Sequence, residues 1–234
     1  MEFNASKQIG KAEQEQNRSK LIRDYCIEHG IRKLFHFTRI ENLRNILHLG
    51  LLGRKLLQEV SETEPSYHST YNDNYRLDGH PEAICLSIGF PNYKMFYKLS
   101  HKNQSEWVVL VLESYILWEF DCAFYSENAA SSVAKHVSLS ERKSFSAFKK
   151  LYMDYNQYKR QDLGIPHSYP THPQAEVLVL EPISPKYIKE VDFKDKQVMQ
   201  KWLLENKGKF TQKIIFDTLY FTPRVDYKSW QNDN

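Results

Sequence analysis

The stretch Gln174-Ala175-Glu176-Val177-Leu178-Val179-Leu180, directly after Pro173, sets a carboxylate at the head of an unbroken apolar run. A strand buried on both faces reads as continuous Val and Leu, so the run predicts an interior strand of a sheet. Glu176 then stands where a core begins, and an ionised group is costly there unless it has a partner or a task. Taken alone, a glutamate that merely ends an edge strand is the commoner case. What shifts the balance is Leu34-Phe35-His36-Phe37-Thr38, a short strand that sets polar side chains between apolar ones just before a helix.

Working outward from these two segments, Ser19 to His29 reads as an amphipathic helix that Gly30 stops. Thr38-Arg39-Ile40-Glu41 has the form of a capping box, and Ile40, Leu43, Ile46 and Leu47 continue at helical spacing up to Gly50. Ser61 to Gly79 is polar and turn-rich, a length that suggests a functional loop. Ala83 to Ile88 and Glu106 to Leu112 read as strands, with a short helix over Pro91 to Leu99. A helix over Ser140 to Tyr158 and a loop over Gln161 to Pro173 lead into the Glu176 strand. A strand over Tyr187 to Phe193, a helix over Lys194 to Glu205 and a closing strand over Lys213 to Phe221 complete the chain. Strands outnumber crossover helices in the second half, which predicts a mixed or antiparallel sheet rather than a doubly wound one.

The chain has 234 residues, 41% hydrophobic and 26% charged, enough for one substantial core; the expectation is a single domain over 1–234, with 1–16 a flexible N-terminal segment. Net charge is only +3, but Glu141 to Arg160 sets six cations against two carboxylates, net +4. Aromatic residues make up 14%, which suggests that some rings serve as stacking surfaces. Cys26, Cys85 and Cys122 are widely spaced, encoding neither a disulfide framework nor a zinc site, and the expected compartment is the cytoplasm. The segment 1–17 lacks the apolar stretch of a secretory signal, and the longest apolar run, Trp107 to Trp118, is broken by Glu113 and too short to span a bilayer.

The run from Leu34 through His36, Thr38, Ile40, Glu41-Asn42-Leu43 and Ile46-Leu47 to Gly50-Leu51-Leu52 resembles the opening NAD-binding block of the DarT family. That family comprises bacterial toxins that ADP-ribosylate DNA bases. Gln174-Ala175-Glu176 and its apolar strand resemble the family's catalytic glutamate strand, and the two blocks occur in the family's order over residues 33–193. The resemblance implies an α+β, mono-ADP-ribosyltransferase-like fold, a mixed and mostly antiparallel sheet core flanked by helices. It implies Glu176 and Arg76 as catalytic, and His36, Thr38, Asn42, Arg39 and Arg76 around NAD, which is consumed as co-substrate without a metal. It further implies a monomeric toxin of a toxin–antitoxin or phage-defence system, with an antitoxin that reverses the modification. The block Ile88 to Tyr97 departs from the thymidine-modifying members and looks closer to the guanine-modifying branch.

The residue chemistry suits this independently. Cleaving nicotinamide from ribose passes through an oxocarbenium-like state, which a carboxylate near the ribose can stabilise. A pyrophosphate asks for the bidentate fork of an arginine, Arg76 or Arg39. His36 can hydrogen-bond an amide or a ribose, and Thr38 can do so or cap the helix. Phe145, Phe148, Tyr152 and Tyr155 recur at helical steps and predict a face docked into the core. Lys149, Lys150, Lys159 and Arg160, interleaved with Tyr155 and Tyr158 and followed by Tyr169, read as a track for nucleic acid: cations for phosphates, rings for bases. A base must leave its stack to be modified, so single-stranded DNA is the expected partner, with RNA left open. Against an enzyme stands a non-catalytic nucleic-acid-binding protein built on the same basic segment. Neither a G-x-S-x-G elbow nor a G-x-G-x-x-G fingerprint is present.

Overall fold

A computed structural model describes residues 2–64, 79–131, 137–208 and 210–231. Its centre is a sheet of β1 (Lys33–Arg39), β2 (Ile84–Ile88), β3 (Trp107–Glu113), β4 (Cys122–Tyr125), β5 (Glu176–Val179), β6 (Ile188–Phe193) and β7 (Lys213–Phe216). Their order is β4-β5-β2-β1-β3-β6-β7, antiparallel throughout except for the β6–β7 pair. The sheet is thus mixed and mostly antiparallel, in keeping with the excess of strands over crossover helices in the second half of the sequence. The apolar run after Glu176 is the interior strand β5, flanked by β4 and β2.

β3 is buried along Trp107–Leu112 and divides its side chains between two layers. Val108, Leu110 and Leu112 join Leu34, Leu86, Val177 and Val191 on one face, covered by α1 (Glu2–Glu28), α2 (Ile40–Leu49), α7 (Phe145–Lys150) and α8 (Lys196–Glu205) through Ile22, Leu43, Phe148 and Trp202. Trp107, Val109 and Val111 meet Phe35, Phe90, Phe96, Tyr220 and Phe221 on the other, where α4 (Tyr93–Ser100) lies. At about 1.5–3 kcal/mol for each fully buried large apolar side chain, these two layers hold the sheet more firmly than any single ladder bond.

β2 changes partners along its length. Its first three residues pair with β5, Ile84↔Val179 to Leu86↔Val177, while its last two pair with β1, Leu34↔Ile88 and Phe35↔Ser87. Beyond Phe35 the β1–β2 ladder stops, although β1 stays paired to β3 as far as Arg39. A gap therefore opens inside the sheet.

Several elements differ from the sequence reading. α1 reaches back to Glu2 because its first half, which includes Ala12 and Glu13 to Gln16, is rich in strong helix formers. The helix expected over Ser140 to Tyr158 is instead α6 (Leu139–Arg142) and α7, each opened by a capping serine, Ser138 and Ser144, and followed by a tight turn joining Tyr155 to Tyr158. Phe145, Phe148 and Tyr152 do share a cluster, around Tyr25, but Tyr155 lies outside that helix. The closing strand ends at Phe216, and a 3-10 turn follows over Leu219–Phe221. A helix, α3 (Arg54–Thr63), and β4 were not read from the sequence. Among the described residues no helix is long and apolar enough to cross a membrane.

Within the β6 layer, Asp192 is fully buried and neither of its carboxyl oxygens meets a hydrogen-bond partner among the described residues. Burial above all, with Glu190 and Asp217 nearby, pushes its carboxyl up to about 8, against the opposing pull of Lys33.

Candidate active site

The gap between β1 and β2 holds a cavity of about 210 Å³, whose lining includes His36, Thr38, Asn42, Arg54, Ser87 and Glu176. It is smaller than the roughly 300–1,000 Å³ of drug-sized ligand clefts.

Glu176 opens β5, opposite Tyr125 of β4, and is 7% exposed. The Ala129 N–H, itself buried, donates to its Oε2 at 2.9 Å. A fixed backbone donor of this kind steadies a charged carboxylate in a place that would otherwise disfavour it. His36 stands where the β1–β2 ladder has ended, and its ring replaces a ladder bond: Nδ1 donates to the Cys85 carbonyl at 3.0 Å. Because a carbonyl only accepts, Nδ1 carries the proton in this contact. Thr38 is a strand residue and not the helix cap predicted for it; the N-cap is Arg39, with no side-chain cap bond. The Thr38 hydroxyl instead accepts from Asn42 Nδ2 at 3.1 Å, both residues being buried, and its own hydrogen remains to be donated.

The cations fall differently from expectation. Arg39 lies outside the cavity lining; its guanidinium is 3.6 Å from Glu106 and 5.1 Å from the Trp107 ring centroid. Arg76 lies outside the described residues. Arg54, which the sequence reading missed, heads α3 and lines the cavity. No local pattern marks it: a Cβ on Gly53 would stand 2.0 Å from the Glu82 carbonyl, so only glycine lets the chain bring Arg54 in here.

The predicted nucleic-acid track divides. Lys149 and Lys150 are exposed on the last turn of α7. Lys159 is also exposed, 3.1 Å from Asp154. Arg160 is engaged within the protein: its Nη1 donates to Thr171 Oγ1 and its Nη2 to the Pro166 and His167 carbonyls, all at 3.1 Å. Burial lowers its affinity for its proton, and the ring of Tyr152 lies 5.5 Å away. The three tyrosines pack within the protein. Tyr158 lies 4.1 Å from the Trp230 ring, Tyr155 lies 4.5 Å from His172 and donates to Glu127, and Tyr169 lies 5.8 Å from Phe90. Trp230 and its neighbours come from the end of the chain, which the sequence reading left unassigned. There Arg224, 2% exposed, forks onto Asp226 and donates to the Pro170 and Thr171 carbonyls, while Trp230 Nε1 donates to Asp226.

A family model described as "ssDNA thymidine ADP-ribosyltransferase, DarT" matches residues 35–222. No curated protein matches the chain. Among solved structures, Thermosipho africanus DarTG in complex with ADP-ribose is similar at TM-score 0.54 and 19% identity, over 81% of this chain and 51% of that one. This chain thus spans about half the length of the Thermosipho chain. Thermus sp. 2.9 DarT in complex with NAD+ is similar at TM-score 0.50 and 14% identity, over 81% of this chain and 97% of that one. At such identities the likeness carries the fold.

Proposed function

The chain belongs to the DarT family of ADP-ribosyltransferases, and from that premise we propose that it consumes NAD+ and transfers ADP-ribose to a nucleobase of single-stranded DNA. The observation that carries this reading is the buried Glu176, steadied by Ala129, in one cavity with His36 and Thr38 where the sheet parts. In this reading the nicotinamide end of NAD+ enters the gap, with the Thr38 hydroxyl and His36 Nε2 facing its polar atoms. Arg54 offers a fork to the pyrophosphate, a role the sequence reading gave to Arg39 and Arg76. As the bond from nicotinamide nitrogen to ribose C1′ breaks, positive charge develops on the ribose, and the Glu176 carboxylate stabilises it. Nicotinamide leaves with the electron pair of that bond, and an N–H nitrogen of the extruded base attacks C1′ and releases its proton to solvent.

The family description names thymidine. The block Ile88 to Tyr97, which departs from the thymidine-modifying pattern, supports guanine as the base here. Lys149, Lys150 and Lys159 are the cations proposed to meet the DNA backbone. A toxin role with a reversing antitoxin follows from the family alone. Mass spectrometry of single-stranded oligonucleotides incubated with the protein and NAD+ tests the reading. A mass gain of one ADP-ribose on guanine supports it as stated, the same gain on thymine corrects the base, and unmodified DNA beside modified RNA refutes the DNA assignment.

A further inference from the structure

The segment 160–173 ahead of Glu176 contains Pro166, Pro170 and Pro173, which carry no N–H, so the loop cannot build a ladder of its own. Within the loop the Tyr169 N–H donates to the Pro166 carbonyl at 3.0 Å, and side chains take more of its carbonyls. Arg160 takes those of Pro166 and His167, and Arg224 takes those of Pro170 and Thr171. Arg224 is itself fixed by a bidentate pair with Asp226, at 2.7 and 2.6 Å, and Asp226 by Trp230 Nε1 at 2.7 Å. Past the 3-10 turn Arg160–Asp162, two guanidinium groups thus brace the backbone from Pro166 to Thr171. Arg224, Asp226 and Trp230 lie beyond residues 35–222, the part that the family model matches.

Glu176 does not depend on this clamp. β5 is paired on both sides, and Ala129 holds the carboxylate from a different segment. The clamp acts on the outer part of the loop, where Pro166 and His167 are exposed and Tyr169 leans on Gly89 and Phe90 beside the end of β2.

We propose that Arg224, set by Asp226 and Trp230, and Arg160 are positioning residues that hold the loop 166–171 in the shape that presents the acceptor base. They thereby govern how ADP-ribose is divided between DNA and water. The inference rests on the ADP-ribosyltransferase reading above.

The test compares Arg224→Met/Asp226→Asn with the parent protein. That pair leaves no buried charge unmatched, and the amide oxygen introduced by Asp226→Asn still accepts from Trp230. Three quantities are read: NAD+ hydrolysis without DNA, transfer to a single-stranded oligonucleotide, and amide hydrogen exchange over 165–171. The expected result is hydrolysis close to the parent's and a transfer rate lowered roughly 10- to 100-fold at saturating NAD+, the penalty typical of a group misplaced by about 1 Å. Faster exchange at Tyr169 and Thr171 should accompany it. Transfer and hydrolysis falling in equal proportion, or an unchanged ratio, overturns the proposal. If the parent itself neither hydrolyses NAD+ nor modifies DNA, the enzymatic reading fails separately, and unchanged exchange in the variant would still sink the clamp. Should the double variant not fold, Arg160→Met, at a half-exposed position, carries the same three measurements.

Discussion

Replacing Glu176 by Gln and by Ala separates chemistry from architecture. The glutamine keeps the shape and an oxygen that can accept the Ala129 N–H, now 2.9 Å from Oε2, but it removes the charge. Loss of one group aimed at charge that develops only in the transition state costs about 2.7–4 kcal/mol, or roughly 10²- to 10³-fold in turnover. Folding should change by less than about 1 kcal/mol, the net worth of an ordinary hydrogen bond. The alanine removes the acceptor as well. Ala129 is buried, so its N–H is then unsatisfied, at about 1–3 kcal/mol. For a chain of this size each kcal/mol lowers the melting temperature by about 2–4 °C. The expected pattern is therefore transfer lost in both variants and melting temperature lowered only in Glu176→Ala. Transfer to single-stranded DNA is followed by mass spectrometry and unfolding by calorimetry. Near-parental transfer in Glu176→Gln would falsify the catalytic assignment; a melting temperature that falls equally in both would show that Glu176 serves the fold.

Four further outcomes follow from the geometry. His36→Ala should weaken NAD+ binding by about 1 kcal/mol, roughly five-fold, in titration calorimetry with a non-hydrolysable analogue; unchanged affinity with a large drop in melting temperature would mark a purely structural histidine. Asp192 binds its proton more tightly in the folded chain than unfolded, so its contribution to stability is complete below about pH 4 and is lost as pH rises towards its folded value of about 8. Asp192→Asn should flatten that decline and raise stability at about pH 8 by on the order of 1–3 kcal/mol, and denaturant unfolding at about pH 5 and pH 8 that shows no difference would refute it. Lys149→Gln and Lys150→Gln should each reduce the salt dependence of single-stranded DNA binding by about 0.7 in log–log slope, and a slope unchanged in both identifies a solvated helix face. Gly89→Ala should destabilise the chain by about 1–3 kcal/mol, because φ there is +73° and the new Cβ would stand 2.6 Å from Tyr169; unaltered thermal unfolding would contradict it.

How far the sequence was legible depended on the reach of the forces involved. β1, α2, β5 and α8 each announce themselves within about ten residues, because burial on one or both faces stamps a period on the chain. β4, Cys122–Tyr125, lacks the β-branched run that marks β5, whereas α3 does carry Leu56, Leu57 and Val60 at helical spacing, a pattern passed over beside the polar loop that follows. His36 and Glu176 could be picked out as polar groups embedded in apolar strands, and both line one cavity. Arg54 was hidden because its placement depends on the approach of Gly53 to Glu82, a contact no local pattern records. The contacts of the basic, aromatic segment were hidden for the same reason. Its composition speaks of phosphates and bases, yet Arg160 finds backbone carbonyls and Tyr158 finds Trp230, seventy-two positions on.

The interrupted pairing of β1 and β2 bears on how this protein can change over generations. Continuing the antiparallel register would bring His36 to Leu86, Phe37 to Cys85 and Thr38 to Ile84, and would satisfy more main-chain groups than the present arrangement does. A lineage selected for heat resistance alone would drift towards that closure, for instance by exchanging His36 for a β-branched residue. Each step would make the sheet more regular and erase the only space where Glu176, His36 and Thr38 meet among the described residues. A hyperstable variant with a fully zipped sheet should therefore be inert.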